Sequence, residues 1–352
     1  MSGERTAGPV EERHRFDEAA LARWMEENVA GYAGPLTVEK FAGGQSNPTF
    51  RLSTPTRQYV LRRKPAGLLH ASAHAVDREF RVMQALGGQG FPVPRVLGLC
   101  SDDAVIGSMF YVMDLVPGRV FWDPLLPDLS PAERAAAYDS MNSTIARMHA
   151  FDVDAIGLGD YGRPGNYVER QVARFSKQYR EDELAGRNAD MDRLIEWLPA
   201  NMPRDAESRR LVHGDYKMDN VMFAADRPEI RAVLDWELST LGDPLADFAY
   251  NVMVWRTPGE AGNSLATARP EGIPSEEDYV AAYCARTGRE RIPALSFYVS
   301  FNMFRLAAIL HGIIGRTLRG NASNAQSHEV ARRFAPLAAA AWEQAQRAER
   351  ER

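Results

Sequence analysis

The sequence predicts an α+β chain of two lobes, a mainly antiparallel sheet with one helix packed on it, followed by a lobe built mostly of helices. Three observations carry this. Short apolar runs with strand alternation fill residues 36–63 and 95–116, with a single helical pattern between them at 73–86. Past Pro117-Gly118 the apolar spacing becomes helical and stays so, apart from a strand-like region at 211–235. The length, 352 residues, is too great for one small core and suits two lobes of ~100–200 residues each. The expected division is an N-terminal lobe at 1–116, with a flexible tail at 1–15, and a C-terminal lobe at 117–352.

Taken in order, residues 16–29 read FDEAALARWMEENV, an amphipathic helix with Asp17 near its start, and Gly31 to Pro35 break it. Three strand-like runs follow: LTVEKF, PTFRLS and QYVLRR. Strand side chains alternate, so Val60, Arg62 and Lys64 share a face of the third run. The helix at 73–86 places Val76, Phe80, Met83 and Leu86 on its apolar side, and two more strands, RVLGLC and MFYVMDLV, complete the sheet. The next helix opens with Ser130, Pro131 and Glu133, a capping box with proline at the first helical position. Further helices are expected at 166–182, 187–199, 276–286, 295–316 and 327–349. Residues 257–274, rich in Gly, Pro and small residues, read as a mobile loop.

Composition narrows the function classes. A net charge of −5 gives no electrostatic case for a nucleic-acid or anionic-membrane partner. The two cysteines, Cys100 and Cys284, form no paired motif, so neither a thiolate metal site nor a disulfide framework is expected. A reducing, cytoplasmic setting fits best. The N-terminus lacks the apolar stretch of a secretory signal. The apolar run from Leu295 to Ile314 carries Asn302, Arg305 and His311, and so reads as a buried helix rather than a membrane span.

The chemistry concentrates in two stretches. In Leu211-Val212-His213-Gly214-Asp215-Tyr216-Lys217-Met218-Asp219-Asn220, an Asp and an Asn lie five apart between apolar flanks. In Ala232-Val233-Leu234-Asp235, a second carboxylate ends an apolar strand. Phosphoryl transfer needs one carboxylate to accept the proton of the attacking hydroxyl. It also needs an Asn oxygen and another carboxylate to hold Mg²⁺ against a triphosphate. Asp215 fits the first role, and Asn220 and Asp235 the second. Asp and Asn are also ordinary turn residues, and it is the apolar flanks, His213 and the following strand-end Asp that lift the set above a chance turn. His213 reads as a loop-holding residue, Lys217 either as a phosphate contact or as a surface charge, and Asp243 and Asp247 as capping and structural residues.

These motifs resemble the aminoglycoside phosphotransferase and choline kinase superfamily: HGDYKMDNVMF is similar to its catalytic loop and LDWELSTLGDPLADFAY to its metal-Asp segment. GGQSNPTF, YVLRRKP, DREF, FPVP and FYVM together bring it nearest to the kinase-like domains associated with acyl-CoA dehydrogenases. The resemblance covers residues 30–320 and implies a bilobal protein-kinase-like fold that uses ATP and Mg²⁺. It makes the turn holding Gly43, Gly44, Gln45, Ser46 and Asn47 a phosphate cradle, although no Walker A lysine follows. Glu79 becomes the helix carboxylate paired with a strand cation. That cation is Arg62, standing where lysine is usual, or Lys64 on the same face. From the resemblance alone, adenine lies against the backbone near Asp114 and Val116, with Met113 beside it.

The implied reaction moves the γ-phosphate of ATP to a hydroxyl of a small molecule, and the branch resemblance points to a hydroxyacyl-CoA and to a functional link with an acyl-CoA dehydrogenase. Candidate acceptor-side residues are Arg170, Arg174 and Lys177, the 157–166 and 257–274 loops, and Tyr298, Asn302 and Arg305 on one helix face, a stripe that a satisfied core helix explains nearly as well. The competing readings are a nucleotide-binding pseudokinase partnering a dehydrogenase, and an aminoglycoside kinase. A protein kinase is disfavoured because Trp236-Glu237 stands in place of Phe-Gly and no A-P-E segment follows.

Overall fold

A computed structural model describes residues 2–3, 6–42, 47–65, 75–163, 165–203, 209–320 and 324–352, with backbone alone at 2–3 and 324–330. Its first helix, α1 (Glu18–Asn28), starts where Asp17 Oδ1 accepts the Ala20 N–H at 2.9 Å. Strands β3 (Thr37–Phe41), β4 (Thr49–Ser53) and β5 (Gln58–Arg63) form an antiparallel meander, and β5 pairs with β7 (Phe110–Asp114) rather than with its sequence neighbour β6 (Val96–Cys100). The sheet order β2-β3-β4-β5-β7-β6 is antiparallel throughout, and α2 (Val76–Gly88) packs on it through Val76, Val82, Met83 and Leu86.

The N-terminal residues depart from the expected tail. Among those described, β1 (Ser2–Gly3) pairs with β8 (Val120–Phe121), and β2 (Ala7–Gly8) joins the sheet edge beside β3. The Thr6 carbonyl accepts the Ala42 N–H at 2.9 Å. An exposed edge strand is a ready template for backbone pairing, and here the chain's own first residues take that place.

The second region is mainly helical: α3 (Pro131–His149), α4 (Tyr167–Glu181), α5 (Ala189–Ala200), α6 (Pro244–Val252), α7 (Glu276–Thr287), α8 (Leu295–Leu318) and α9 (Asn324–Arg350). The capping box at α3 forms as the sequence predicts, with Ser130 N–H to Glu133 at 2.8 Å and Glu133 N–H to Ser130 Oγ at 3.3 Å. α8 is long and apolar enough to cross a membrane by length and composition, but 78% of its most apolar stretch is buried in the helical core. The 257–274 segment is not the mobile loop expected, since Ala261, Leu265 and Ile273 are buried in that core and Arg333 Nε donates to the Ala261 carbonyl at 2.9 Å. Two short antiparallel pairs carry the polar motifs: β9 (Arg210–Val212) with β12 (Thr240–Gly242), and β10 (Val221–Phe223) with β11 (Ile230–Val233). The whole is a bilobal protein-kinase-like fold.

Candidate active site

The polar loop begins at the end of β9. Gly214 has φ +81°, and a Cβ there would lie 2.8 Å from the Leu238 carbonyl, so glycine alone fits the corner. His213 accepts the Asp215 N–H at Nδ1 (3.3 Å), which leaves its proton on Nε2, 2.8 Å from the Leu234 carbonyl. The Leu234 N–H in turn donates to the Asn220 carbonyl at 2.8 Å. These bonds tie the Asp215 loop to the Asp235 strand end. His213 therefore sits where the sequence puts it, holding the loop.

Asn220 Nδ2 donates to both the carbonyl (2.9 Å) and Oδ2 (2.8 Å) of Asp215. Its Oδ1 has no hydrogen-bond partner among the described residues. Lys217 Nζ lies 3.6 Å from Asp215 Oδ2 and 3.3 Å from Asp219 Oδ2. Burial works against that ammonium, but Asp215 and Asp219 outweigh it and raise its pKa, so it stays charged. Asp215, Asn220 and Lys217 thus form one cluster.

Across the cleft, Arg62 gathers three carboxylates. Its Nη2 is 2.7 Å from Asp235 Oδ1 and 3.2 Å from Glu237 Oε2. Its Nε is 2.9 Å from Glu79 Oε2, an ion pair in which the N–H does not point at the oxygen. Glu79, only 1% exposed, also accepts from Asn47 Nδ2 (2.8 Å) and from the Tyr111 hydroxyl (3.0 Å). Burial pushes the Glu79 carboxyl up to about 7 against the pull of Arg62. Burial also opposes the Arg62 charge, but Glu79, Tyr111, Asp235 and Glu237 outweigh it and keep the guanidinium protonated.

A cavity of about 250 Å³ opens between the sheet and the helical region. Val60, Met113, Leu234 and Trp236 line its apolar walls, Arg62, Glu79 and Asp235 its polar end, and Leu115 to Gly118 its back. A Cβ at Gly118 would come within 2.2 Å of the Phe223 carbonyl, so this glycine lets the connecting segment lie against β10. The Val116 N–H has no hydrogen-bond partner among the described residues, whereas the Asp114 N–H donates to the Arg95 carbonyl (2.9 Å) and the Asp114 carboxylate pairs with Arg57 (2.5 Å). Lys64 follows the end of β5 and is not part of the cavity wall. Gly43, Gly44, Gln45 and Ser46 lie outside the described residues.

The helix stripe of Tyr298, Asn302 and Arg305 faces inward. The Tyr298 hydroxyl donates to Asp243 at 2.8 Å, Asn302 Nδ2 to the Ala246 carbonyl at 2.8 Å, and Arg305 Nη2 to the Gly214 carbonyl. All three tie α8 to α6 or to the Asp215 loop, the satisfied-stripe alternative to an acceptor pocket.

Two contributors escaped the sequence reading. Glu237 was noted only as a substitution, yet it shares Arg62 with Asp235. Asp247 is more than a capping residue: its Oδ2 and Oδ1 accept the N–H groups of His213 and Gly214, both at 2.8 Å, and Oδ2 lies 3.2 Å from His149 Nε2. Burial opposes its charge, but His149, His213 and the loop N–H group outweigh that and hold the carboxyl below its ordinary value. A carboxyl depressed in the folded state lends stability above its unfolded pKa and loses it as pH falls through the folded one. Asp247→Asn is expected to cost about 3–5 kcal/mol at pH 7, with the gap to the parent narrowing below about pH 4. Urea unfolding of both proteins from pH 3 to 7 measures this.

The comparisons agree with this geometry. Residues 37–298 match the family described as the phosphotransferase enzyme family. The chain is 42% identical over 340 residues to acyl-CoA dehydrogenase family member 10 of Mus musculus, covering 95% of this chain and 32% of that protein. It is also 42% identical over 352 residues to family member 11 of Gallus gallus, covering 96% of this chain and 44% of that protein. It therefore spans less than half the length of these curated relatives. A Ralstonia eutropha structure provisionally assigned as an aminoglycoside phosphotransferase superposes with a TM-score of 0.85 at 48% identity, over 95% of this chain and 99% of that one. Choline kinase from Cryptosporidium parvum shares the fold, with a TM-score of 0.63 at 11% identity over 95% of this chain and 96% of that one. The chain belongs to the phosphotransferase enzyme family.

Proposed function

We propose that this chain is an ATP- and Mg²⁺-dependent kinase that transfers the γ-phosphoryl group to a hydroxyl of a small molecule. The observation that carries the reading is the pairing of Asp215, fixed by Asn220 at 2.8 Å, with Asp235, the carboxylate held by Arg62 at 2.7 Å. Residues 1–116 form the nucleotide-binding lobe in this reading. The apolar cavity walls take adenine, with Met113 beside it and the free N–H of Val116 facing the base. The turn at 43–47 and Arg62 take the phosphates, and Asp114 contributes backbone only, because its side chain is committed to Arg57.

Asn220 and Asp235 offer hard oxygen donors, the kind Mg²⁺ takes alongside phosphate oxygens. The metal, when bound, supplies charge neutralisation of the triphosphate. Asp215 accepts the proton of the acceptor hydroxyl as its oxygen bonds to the γ-phosphorus and ADP leaves. Lys217, charged beside Asp215, is within the same cluster as the site of transfer. Glu79 keeps Arg62 extended over the cleft.

The relatives' names favour a hydroxyacyl-CoA acceptor and a functional link to an acyl-CoA dehydrogenase. Family likeness to aminoglycoside phosphotransferases keeps amino alcohols in the test set. ATP consumption across hydroxyacyl-CoAs, amino alcohols and aminoglycosides is expected to single out one class, and turnover with none of them would refute the assignment. Mg·ATP at 100 times its Kd is expected to stabilise the fold by about 2.7 kcal/mol. A thermal scan with and without nucleotide checks this, and an unmoved midpoint would count against nucleotide binding itself.

A further inference from the structure

The loop carrying Asp215 is gripped by two helices, one backbone group at a time. From α6, Asp247 takes the N–H groups of His213 and Gly214, and Asn251 Nδ2 lies 3.5 Å from the Tyr216 carbonyl. From α8, Arg305 Nη2 takes the Gly214 carbonyl. Tyr250 lies between these anchors. It falls three residues after Asp247, on the same face of α6. The Arg305 guanidinium sits 5.0 Å above its ring centroid, and the phenol hydroxyl is in hydrogen-bonding range of the Asp215 carboxylate.

Arg305 is unusual company for a tyrosine. It is 6% exposed, and among the described residues no carboxylate pairs with it directly. Its partners are the Gly214 carbonyl, the Tyr167 hydroxyl at 3.3 Å and the face of Tyr250. A buried guanidinium needs such partners to offset its lost hydration. The cation therefore fixes the ring, and the ring fixes where its hydroxyl points. Burial, together with the charge of Asp215, pushes the Tyr250 phenol well above its ordinary value, so the hydroxyl keeps its proton and acts as a donor. The other charged groups around it are Lys217 and Asp219.

We propose that Tyr250, oriented by the overlying Arg305, is a positioning residue for Asp215, holding the carboxylate aimed at the acceptor hydroxyl. The proposal rests on the kinase reading for its role in turnover, but not for the contact itself. Asn220 restrains Asp215 from its own loop, and Tyr250 restrains it from a helix of the core. One restraint follows the loop if it moves, while the other ties the base to the rigid part of the lobe. Effective orientation of a reacting group is worth large factors in rate, so loss of the second restraint is felt in the chemical step more than in nucleotide binding.

The test is a double-mutant cycle of Asp215→Asn, Tyr250→Phe and the double variant, read by urea unfolding of the full chain. Phe keeps the ring under Arg305 and removes only the hydroxyl. Coupling is expected, with the combined shift in midpoint differing from the sum of the single shifts. Additive shifts would overturn the contact. In turnover, Tyr250→Phe is expected to lower kcat about tenfold with KM for ATP unchanged. Coupling with unaltered kcat would overturn the positioning role. A parent protein that turns over no ATP would refute the kinase reading, and the unfolding cycle would still decide on the Tyr250 contact.

Discussion

Asp215→Asn is expected to lower kcat by about 10²–10⁴-fold, the range for removing a general base, while nucleotide affinity changes little. The substitution is nearly isosteric and keeps an oxygen to accept from Asn220, so the loop geometry survives it. What is lost is the ability to take a proton from the acceptor hydroxyl. Steady-state kinetics with a saturating acceptor, paired with a direct nucleotide-binding measurement, separates the two effects. A variant with parental kcat would remove Asp215 from the reaction. A variant that no longer binds nucleotide would mean that the loop, rather than the base, had been damaged.

Arg62→Ala is expected to damage stability and nucleotide binding together. It leaves Glu79 buried without its counter-charge and frees Asp235 and Glu237 to repel one another. Breaking a buried pair by removing one partner costs about 3–5 kcal/mol, to be read as a fall in the urea midpoint. Weaker Mg·ATP binding follows if Arg62 holds the phosphates. Lys64→Ala is the comparison: it lies off the cavity wall, and a surface change of this kind falls within about 0.5 kcal/mol. Equal loss of ATP affinity in both variants would overturn the choice of Arg62. Arg62→Lys discriminates further, because a single ammonium cannot reach Glu79 and Asp235 with separate nitrogens as the guanidinium does.

The sequence made some of this legible and hid the rest for identifiable reasons. The strands at 37–41, 49–53 and 58–63 and the capped helix at 131–149 lie within a residue or two of where alternation and the capping box put them, because those signals are local. The Asp215/Asn220 spacing was readable for the same reason, since both sit on one turn. The N-terminal pairing was not, because β1 finds its partner more than a hundred residues away and two residues carry no periodicity. The 257–274 segment misled because its Gly and Pro content reports turns, whereas burial of Leu265 and Ile273 depends on helices elsewhere in the chain. Asp247 was half legible: its place at a helix start suggested a cap, but the N–H groups it accepts lie 33 and 34 residues earlier. The choice between Arg62 and Lys64 turned on where β5 ends, a boundary that alternation alone does not fix.

Asp235 has φ 64° and ψ 62°, the left-handed region that few side chains enter without cost. Glycine, asparagine and aspartate do so most readily, and most others pay roughly 1–2 kcal/mol. The corner that turns this carboxylate toward Arg62 thus also restricts which residues can stand there. Glutamate carries the same charge but is penalised by the backbone before its chemistry matters. Neutral drift at this codon is accordingly narrow: Asn and Gly, each one base change from Asp, are the cheap exits, and both abolish the charge. A lineage that loses phosphotransfer through this position would therefore keep its fold intact, and its inactivity would be written in a single letter while the rest of the chain went on looking like a working enzyme.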